Sequence, residues 1–562
     1  MEPIRSTIGK LRELPFTRRL GKPTKDDMIA GLTNGIASIP DGMASGVIAG
    51  INPAYGLYTL MINTPIAALT LSTQLMVVNT TSAMILVASD GLGTLSGDDR
   101  VQAMFGIALV AGIFQVILGV LGLGTLTKFI SNAVMTGLLT GVALLIILGQ
   151  LWDFFGYSGE GEGKLQRTVN LIGNLGEIDP RTTLIGVLAI LIMVGAAKTS
   201  LARFNLIIAL AVGTVVAALI GGDSVALVSS MGDIPAGLPS FSVPGIRDAA
   251  SMVIAGIAVG LVGLLQAAGV AQRYPNPHSR EPDDSQDFIA QGIGNVAGSF
   301  FQAMPAGGSL SSTALGVSAG AKTRWASFSM AIVVIVVVLL FSRVLSAIPI
   351  AALAALLIYS ASLSIKIPLI REVFNANWHS VLAMMLTLSA ALIVPIQQAI
   401  ILGVIVAATL FVYRASSDVR VIRLKRSENG SYSEEPVPSE LESFDTYIID
   451  VYGSLFYAGA RTLIKLLPSV GQSSHAVVIL RLRGTGEIGS TLMNVLNGYA
   501  QELQNADGRL ILAGIDPELK ERMIKSRQVD VIGAENIFVR DNIRHHSIEL
   551  AERNAVEVVA RK

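Results

Sequence analysis

The sequence predicts a polytopic α-helical membrane protein followed by a small α/β domain. Three observations carry this. Hydrophobic residues make up 51% of the 562 and charged residues only 15%, where a soluble chain carries about 25%. The charges are unevenly placed: long apolar blocks dominate up to Tyr413, and charge returns after it. Run after run within those blocks approaches the ~20 mostly apolar residues that a helix needs to cross a bilayer. The formal net charge is zero, which gives nucleic acid no electrostatic hold. There is no cysteine, so disulfides, thiol catalysis and thiolate metal sites are excluded. The expected organisation is a cytoplasmic N-terminal segment over 1–25, a transmembrane domain over 26–414, a linker over 415–440 and an α/β domain over 441–562. Met1–Lys25 is of mixed charge and leads into a run of spanning length, so it reads as retained rather than as a cleavable signal.

In chain order the clear spans are Met28–Ala49, Ala54–Leu71, Ala103–Leu123, Phe129–Leu151, Leu184–Ala197, Leu206–Ile220, Met252–Ala268, Trp325–Phe341, Val344–Ser360, Val381–Val394 and Ala399–Val412. Three weaker ones, Leu75–Ser89, Phe288–Phe300 and Leu310–Ala319, are rich in small and polar residues. The total is about 14 segments, several of them short or broken. Seven Lys and Arg residues from Arg5 to Lys25 precede the first span, which places the N-terminus in the cytoplasm. With that start Lys128, Lys198, Arg203, Arg273, Arg280, Lys322, Arg324, Lys366 and Arg371 fall on the same side, whereas Arg100, Lys164, Arg167, Arg181, Arg247 and Arg343 fall outside. An even number of spans returns the chain to the cytoplasm.

Two of the weak spans carry the functional argument. Leu75–Ser89 holds Asn79, Thr80, Thr81 and Ser82, and Leu310–Ala319 is preceded by MPAGGSLSST, Met304 to Thr313. Each reads as an extended approach followed by a half-helix. Non-helical backbone at membrane depth is tolerated where it is buried or lines a cavity. Interrupted segments at matching positions of two halves point to a transporter's binding site. One is the third span of the first seven and the other the third of the second seven, which predicts a 7+7 inverted repeat. Two half-helix N-termini would then meet at the midplane, each offering N–H groups and about half a positive charge. That is an anion site without a cationic side chain.

After Arg414 the pattern changes. Lys425–Glu442, with Pro436 and Pro438, is polar and reads as linker. Strand-like runs at Thr446–Gly453, Ala476–Leu482, Arg509–Ala513 and Ile537–Val539 alternate with helical ones at Ser490–Gln504, Pro517–Ser526 and Ile543–Asn554. This is the size and pattern of one α/β domain. It contains no Gly-rich phosphate loop, metal spacing or nucleophile elbow, so no enzyme activity and no cofactor are expected. His475, His545 and His546 read as surface or core-edge residues rather than as groups for chemistry.

The strongest local motifs are IPDGMASGVIAGINPAYGLYT, Ile39 to Thr59, and GNVAGSFFQAMPAGGSLSSTALGVSAGAKT, Gly294 to Thr323. On these, and on the order of its segments, nearly the whole chain resembles the SulP sulfate-permease family of anion transporters, relatives of the solute-carrier anion exchangers. The tail resembles the STAS domain that follows the membrane part in that family. The resemblance implies a core domain of spans 1–4 and 8–11, a gate domain of spans 5–7 and 12–14, a substrate between spans 3 and 10, and a homodimer. The chain also departs from the family. VGLLQ puts Gln266 where many bacterial relatives carry an acid in span 8, Ser312 stands where many carry Arg in span 10, and Asn79-Thr80 replaces a Gly-Pro.

Substrate-binding candidates are therefore Thr80, Thr81, Ser82, Gln266, Gly308, Ser309, Ser311 and Ser312, whose hydroxyls and amides can hydrogen-bond an oxyanion. Asn79 is the expected cap of the first half-helix. Asp41 is the only charge in Met28–Ile51. A carboxylate within a span costs ~2.5–3.5 kcal/mol and usually faces an interior or a water-filled cavity. It is the candidate for coupling to H+ or Na+, while Gly42 and Ala44 beside it allow close helix approach. In GTGEIGSTLMNVL, Gly484 to Leu496, Ser490 and Thr491 match the phosphoacceptor region of related antagonists, but Gly489 replaces that motif's aspartate. Ser490 reads more simply as a helix N-cap. The function expected is secondary transport of a small anion (bicarbonate, sulfate or dicarboxylate) across a bacterial inner membrane. The alternatives are an uncoupled exchanger or channel, and a receptor that signals through its STAS domain.

Overall fold

The computed structural model describes residues 22–559 apart from 94, 125–131, 160–163, 200–201, 221–224, 246–248, 277–281, 395, 428–430, 456–457, 483–487, 526–528 and 541–545. The chain divides into two compact units, Met1–Ala407 and Ala408–Lys562.

The first unit opens with α1 (Lys25–Ala49), α2 (Ala54–Thr70), strand β1 (Val77–Asn79), α3 (Ser82–Gly91), α4 (Gly97–Val120), α5 (Asn132–Phe155), α6 (Lys164–Gly173), α7 (Pro180–Ala196) and α8 (Asn205–Ile220). It continues with α9 (Ala249–Arg273), α10 (Asp284–Ser299), strand β2 (Gly307–Ser309), α11 (Leu310–Ser318), α12 (Trp325–Ser346), α13 (Ile350–Ser364), α14 (Ile367–Ala376), α15 (Trp378–Ile393) and α16 (Ile396–Ser417). Every apolar run predicted to span overlaps one of these helices, with ends that differ by several residues. Local chemistry sets several ends. Thr24 and Asp27 form a reciprocal capping box at the start of α1, and Asp179 caps α7 ahead of Pro180. The run expected over Val344–Ser360 is instead broken: α12 ends at Ser346 and α13 starts at Ile350 after Pro349. A proline has no N–H to give the preceding turn and its ring crowds it, so the helix stops there. The short amphipathic helices α6 and α14 were not among the predicted spans.

Helix contacts fall into two groups. In one, α1–α4 pack with α9–α12; in the other, α5–α8 pack with α13–α15. Within the first, α1 and α2 cross almost backbone to backbone. A Cβ on Gly56 would stand 1.8 Å from the Gly42 carbonyl oxygen, so only glycine fits. Gly42 is the residue after Asp41, and this crossing fixes the side of α1 from which Asp41 projects. Pro40, inside α1, removes one intrahelical hydrogen bond at the same point.

The second unit is a six-stranded sheet in the order β4-β3-β5-β6-β7-β8. Its strands are β3 (Arg420–Arg426), β4 (Tyr432–Glu435), β5 (Thr446–Tyr452), β6 (Val477–Arg481), β7 (Arg509–Ile515) and β8 (Ile537–Val539). The stretch 415–440 is thus not a linker. It supplies two antiparallel strands, with Arg423 opposite both Glu435 and Ile449. Its charged text misled because an edge hairpin keeps one face in solvent, and charge on edge strands is a normal guard against sheet extension. The other strands are parallel and alternate with α17 (Ala458–Leu466), α18 (Ser490–Asn505), α19 (Pro517–Lys525) and α20 (His546–Val559). Tyr447, Ile449 and Val451 of β5 face a core shared with Leu496 and Tyr499 of α18. Ile448 lies on the other face, under Ile548 and Ala551 of α20. Asp450 is buried, pairs with Arg481 at 2.5 Å and accepts the Tyr452 hydroxyl proton at 3.0 Å.

Candidate functional site

The site forms where β1 and β2 meet. Val77 lies opposite Ser309, Val78 opposite Gly308 and Asn79 opposite Gly307, in antiparallel register. Each strand runs straight into a short helix, α3 after β1 and α11 after β2. Because the strands are antiparallel, the two helices leave the ladder in opposite directions, with their N-terminal ends at it. Thr81, not Asn79, caps α3, its hydroxyl oxygen accepting from the Met84 N–H. Asn79 belongs to β1 and sends its amide to the Ser312 hydroxyl oxygen at 3.2 Å. Ser309 caps α11 by accepting from the Ser312 N–H.

The predicted residues separate into a base and a rim. Thr80, Ser309 and Ser312 are buried and bonded to one another's neighbours. The Ser45 hydroxyl oxygen of α1 lies 3.0 Å from Thr80 Oγ1, and the Asn34 amide of α1 donates to the Ser312 carbonyl at 3.0 Å. Ser309 Oγ lies 3.1 Å from Ser312 Oγ and 3.2 Å from Ser311 Oγ. At the rim, Thr81, Ser82, Gln266 and Asp41 are half-buried and Ser311 is exposed. Thr81 donates to Gln266 Oε1 at 2.9 Å, tying α3 to α9. Gly308 supplies a backbone position rather than a ligand side chain: a Cβ there would meet Ala267 Cα and Met76 Sδ at 3.0 Å.

Asp41 sits one helical turn before Ser45, whose hydroxyl donates to the Asp41 carbonyl at 2.9 Å. Among the described residues the Asp41 carboxylate has no hydrogen-bond or ion-pair partner. No Lys or Arg side chain joins the network among the described residues, so the positive field at the ladder comes from helix N-termini. No cluster of three or more His, Asp or Glu suited to a metal ion occurs among them.

Sequence reasoning missed the scaffold behind the ladder. The extended approach to α11 is held by uncharged side chains, all fully buried. Thr59 of α2 accepts from the Met304 N–H at 2.8 Å. Asn295 of α10 accepts from the Ala306 N–H and donates to its carbonyl, both at 2.8 Å. Gln291 accepts from the Gly308 N–H at 3.1 Å, and Thr64 donates to the Val78 carbonyl at 2.6 Å. These groups replace the partners that a continuous helix would have provided. Polar residues in otherwise apolar helices were the available signal. In the second unit Ser490 is exposed and Thr491 half-buried at the start of α18. The cap is Gly489, without a side-chain bond, so Ser490 is not the cap expected of it. The preceding residues 483–487 lie outside the described ones.

The sequence pattern of the Sulfate permease family matches residues 24–387, and that of the STAS domain matches residues 440–543. The chain belongs to the sulfate permease family. It is a membrane anion transporter of that family and not an enzyme. Sulfate transporter 4.1, chloroplastic, of Arabidopsis thaliana is 26% identical over 553 residues, covering 93% of this chain and 80% of that protein. The bicarbonate transporter BicA of Picosynechococcus is 25% identical over 341 residues, 59% of this chain and 60% of its own length. The solved structure of SLC26A9 matches with a TM-score of 0.83 at 16% identity, over 99% of this chain and 96% of that one. At that identity the likeness is one of fold.

Proposed function

We propose that this sulfate permease family member is a secondary active transporter of a small anion such as bicarbonate, sulfate or a dicarboxylate, coupled to sodium or protons through Asp41. The observation that carries the reading is the β1–β2 ladder. It gathers two half-helix N-termini and a rim of hydroxyl and amide groups, Thr81, Ser82, Gln266 and Ser311, around a site that no Lys or Arg side chain joins among the described residues. Such a site suits a compact oxyanion, which accepts hydrogen bonds from N–H and O–H donors. The two packing groups support movement of a core (α1–α4, α9–α12) against a gate (α5–α8, α13–α15) in alternating access. In this reading fourteen spans form two inverted repeats of seven. The protein is a homodimer in a bacterial inner membrane, with both termini cytoplasmic. Asp41 holds the coupling ion in this reading because its half-buried carboxylate, one helical turn before Ser45, has no hydrogen-bond or ion-pair partner among the described residues.

The test is uptake by proteoliposomes of labelled bicarbonate, sulfate and fumarate, with and without an imposed sodium or proton gradient. Accumulation of one anion that collapses with the gradient supports the reading. A second reading, an uncoupled exchanger, draws on Gln266, an uncharged amide at the span-8 position where the family resemblance implies an acid in many bacterial members. It predicts flux indifferent to both gradients. Binding without flux would instead favour a receptor acting through the STAS domain.

A further inference from the structure

Two aspartates away from the ladder grip the chain in the same way. Asp287, in the first turn of α10, is 1% exposed. Its Oδ1 accepts from the N–H groups of Ser72 at 2.5 Å and Thr73 at 3.0 Å, and its Oδ2 accepts the Thr73 hydroxyl proton at 2.5 Å. Asp27, in the first turn of α1, is 0% exposed. Its Oδ1 accepts from the N–H groups of Lys322 and Thr323, and its Oδ2 accepts the Thr323 hydroxyl proton, all at 2.8 Å. Hydrogen bonds to an ionised acceptor are the strong kind, and two backbone donors fix a loop's orientation as well as its position.

The gripped loops are the ones that matter to the site. Ser72 and Thr73 lead into β1 and α3, and Lys322 and Thr323 leave α11. Buried Arg324 donates to the Leu71 carbonyl, which joins the two loops to each other. The grips are also crossed. A helix of the second half of this unit holds the entry to the first half-helix, and the first helix holds the exit from the second. Simple helix capping asks for no such exchange, since Asp27 already completes a capping box with Thr24 in its own chain segment.

We propose that Asp27 and Asp287 are positioning residues for the anion site, each setting from the far half of the unit where one half-helix stands at the ladder. The inference rests on the anion reading above. Hydrogen exchange of the full-length protein tests the grips without any substrate, and counterflow of labelled sulfate tests their effect on transport. With Asp287→Ala, exchange over 75–86 accelerates about tenfold or more while 310–318 is unchanged; with Asp27→Ala the pattern reverses. Asp287→Asn falls between wild type and Asp287→Ala, because its carbonyl oxygen still accepts from the N–H groups, though more weakly than a carboxylate, and its amide can donate to Thr73. For sulfate, Asp287→Ala raises the half-saturation concentration more than it lowers the maximal rate. Thr73→Val reproduces a weaker form of the defect and Thr73→Ser restores it, which keeps the test decisive where Asp287→Ala does not fold. Uniform acceleration of both segments, or an Asn variant as damaged as the Ala one, overturns the proposal. A crossed exchange pattern in a protein that carries none of bicarbonate, sulfate and fumarate upholds the grips and counts against the anion reading instead.

Discussion

Asp41 is set apart from the other buried or half-buried carboxylates by what surrounds it. Asp27 and Asp287 each take hydrogen bonds from backbone N–H groups and a hydroxyl, and Asp450 is paired with Arg481. The Asp41 carboxylate has none of these partners among the described residues, although its helix is fixed by Gly42 against Gly56. An unpaired charge in a span is costly, and binding a proton or a cation would relieve that cost. Asp41→Asn keeps the size and removes the charge. Gradient-driven accumulation is expected to fall about tenfold or more, and residual uptake to ignore the gradient; a tenfold loss corresponds to about 1.4 kcal/mol. Initial rates against sodium concentration and pH check this, and unchanged dependence on both would place coupling elsewhere. Asp41 was legible because it is one charge in a long apolar run. Arg100 was not: on the sequence it merely opposes the positive-inside bias. The structure gives it local work, donating to the Ala49 carbonyl at 2.7 Å and the Ser89 hydroxyl at 2.9 Å, across the ends of α1 and α3.

At the scale of elements, hydropathy located the long helices because a bilayer demands a continuous apolar stretch. It also flagged the two broken spans, because Asn79, Thr80 and Thr81, and the Gly307–Ser312 stretch, do not suit an unbroken apolar helix. The strand pairing of β1 with β2 was not legible, since three residues on each side carry no alternation to read. Nor was the cap: Asn79 and Thr81 are both good N-cap residues, and only the ladder, by holding Asn79 in β1, decides for Thr81. The close crossing of α1 and α2 was half legible, through Gly42 but not through its partner. It makes the next prediction. Gly56→Ala would place a methyl group against the Gly42 carbonyl, where 1.8 Å leaves no room, so the helices must separate. Overpacking of this kind costs about 1–3 kcal/mol, occasionally more. The thermal midpoint of the detergent-solubilised protein should drop, and uptake should fall with it because Asp41 adjoins the crossing. An unaltered midpoint would mean that the crossing is looser than described.

On the scale of the whole membrane unit, transport by alternating access requires the two packing groups to move as bodies. The contacts inside each are extensive, whereas those between them are fewer and run through α1 with α5, α8 and α13, and α3 with α5. The absence of any cysteine from the chain makes this directly testable, since every introduced thiol is the only one of its kind. A Cβ built on Gly213 of α8 lies 3.2 Å from Ala352 Cβ of α13, close to the ~3.5–4.5 Å of a natural disulfide. Both positions belong to the gate group. Cysteines at 213 and 352, once oxidised, should therefore leave more than about half of the uptake intact, because the bond joins parts that travel together. A pair joining α1 to α13 links core to gate and should reduce uptake about tenfold or more until a reductant restores it. Equal loss from both pairs would mean that the gate itself deforms during the cycle. Insensitivity to both would mean that α1 and α13 do not separate, and the moving boundary would have to be sought within one of the two groups.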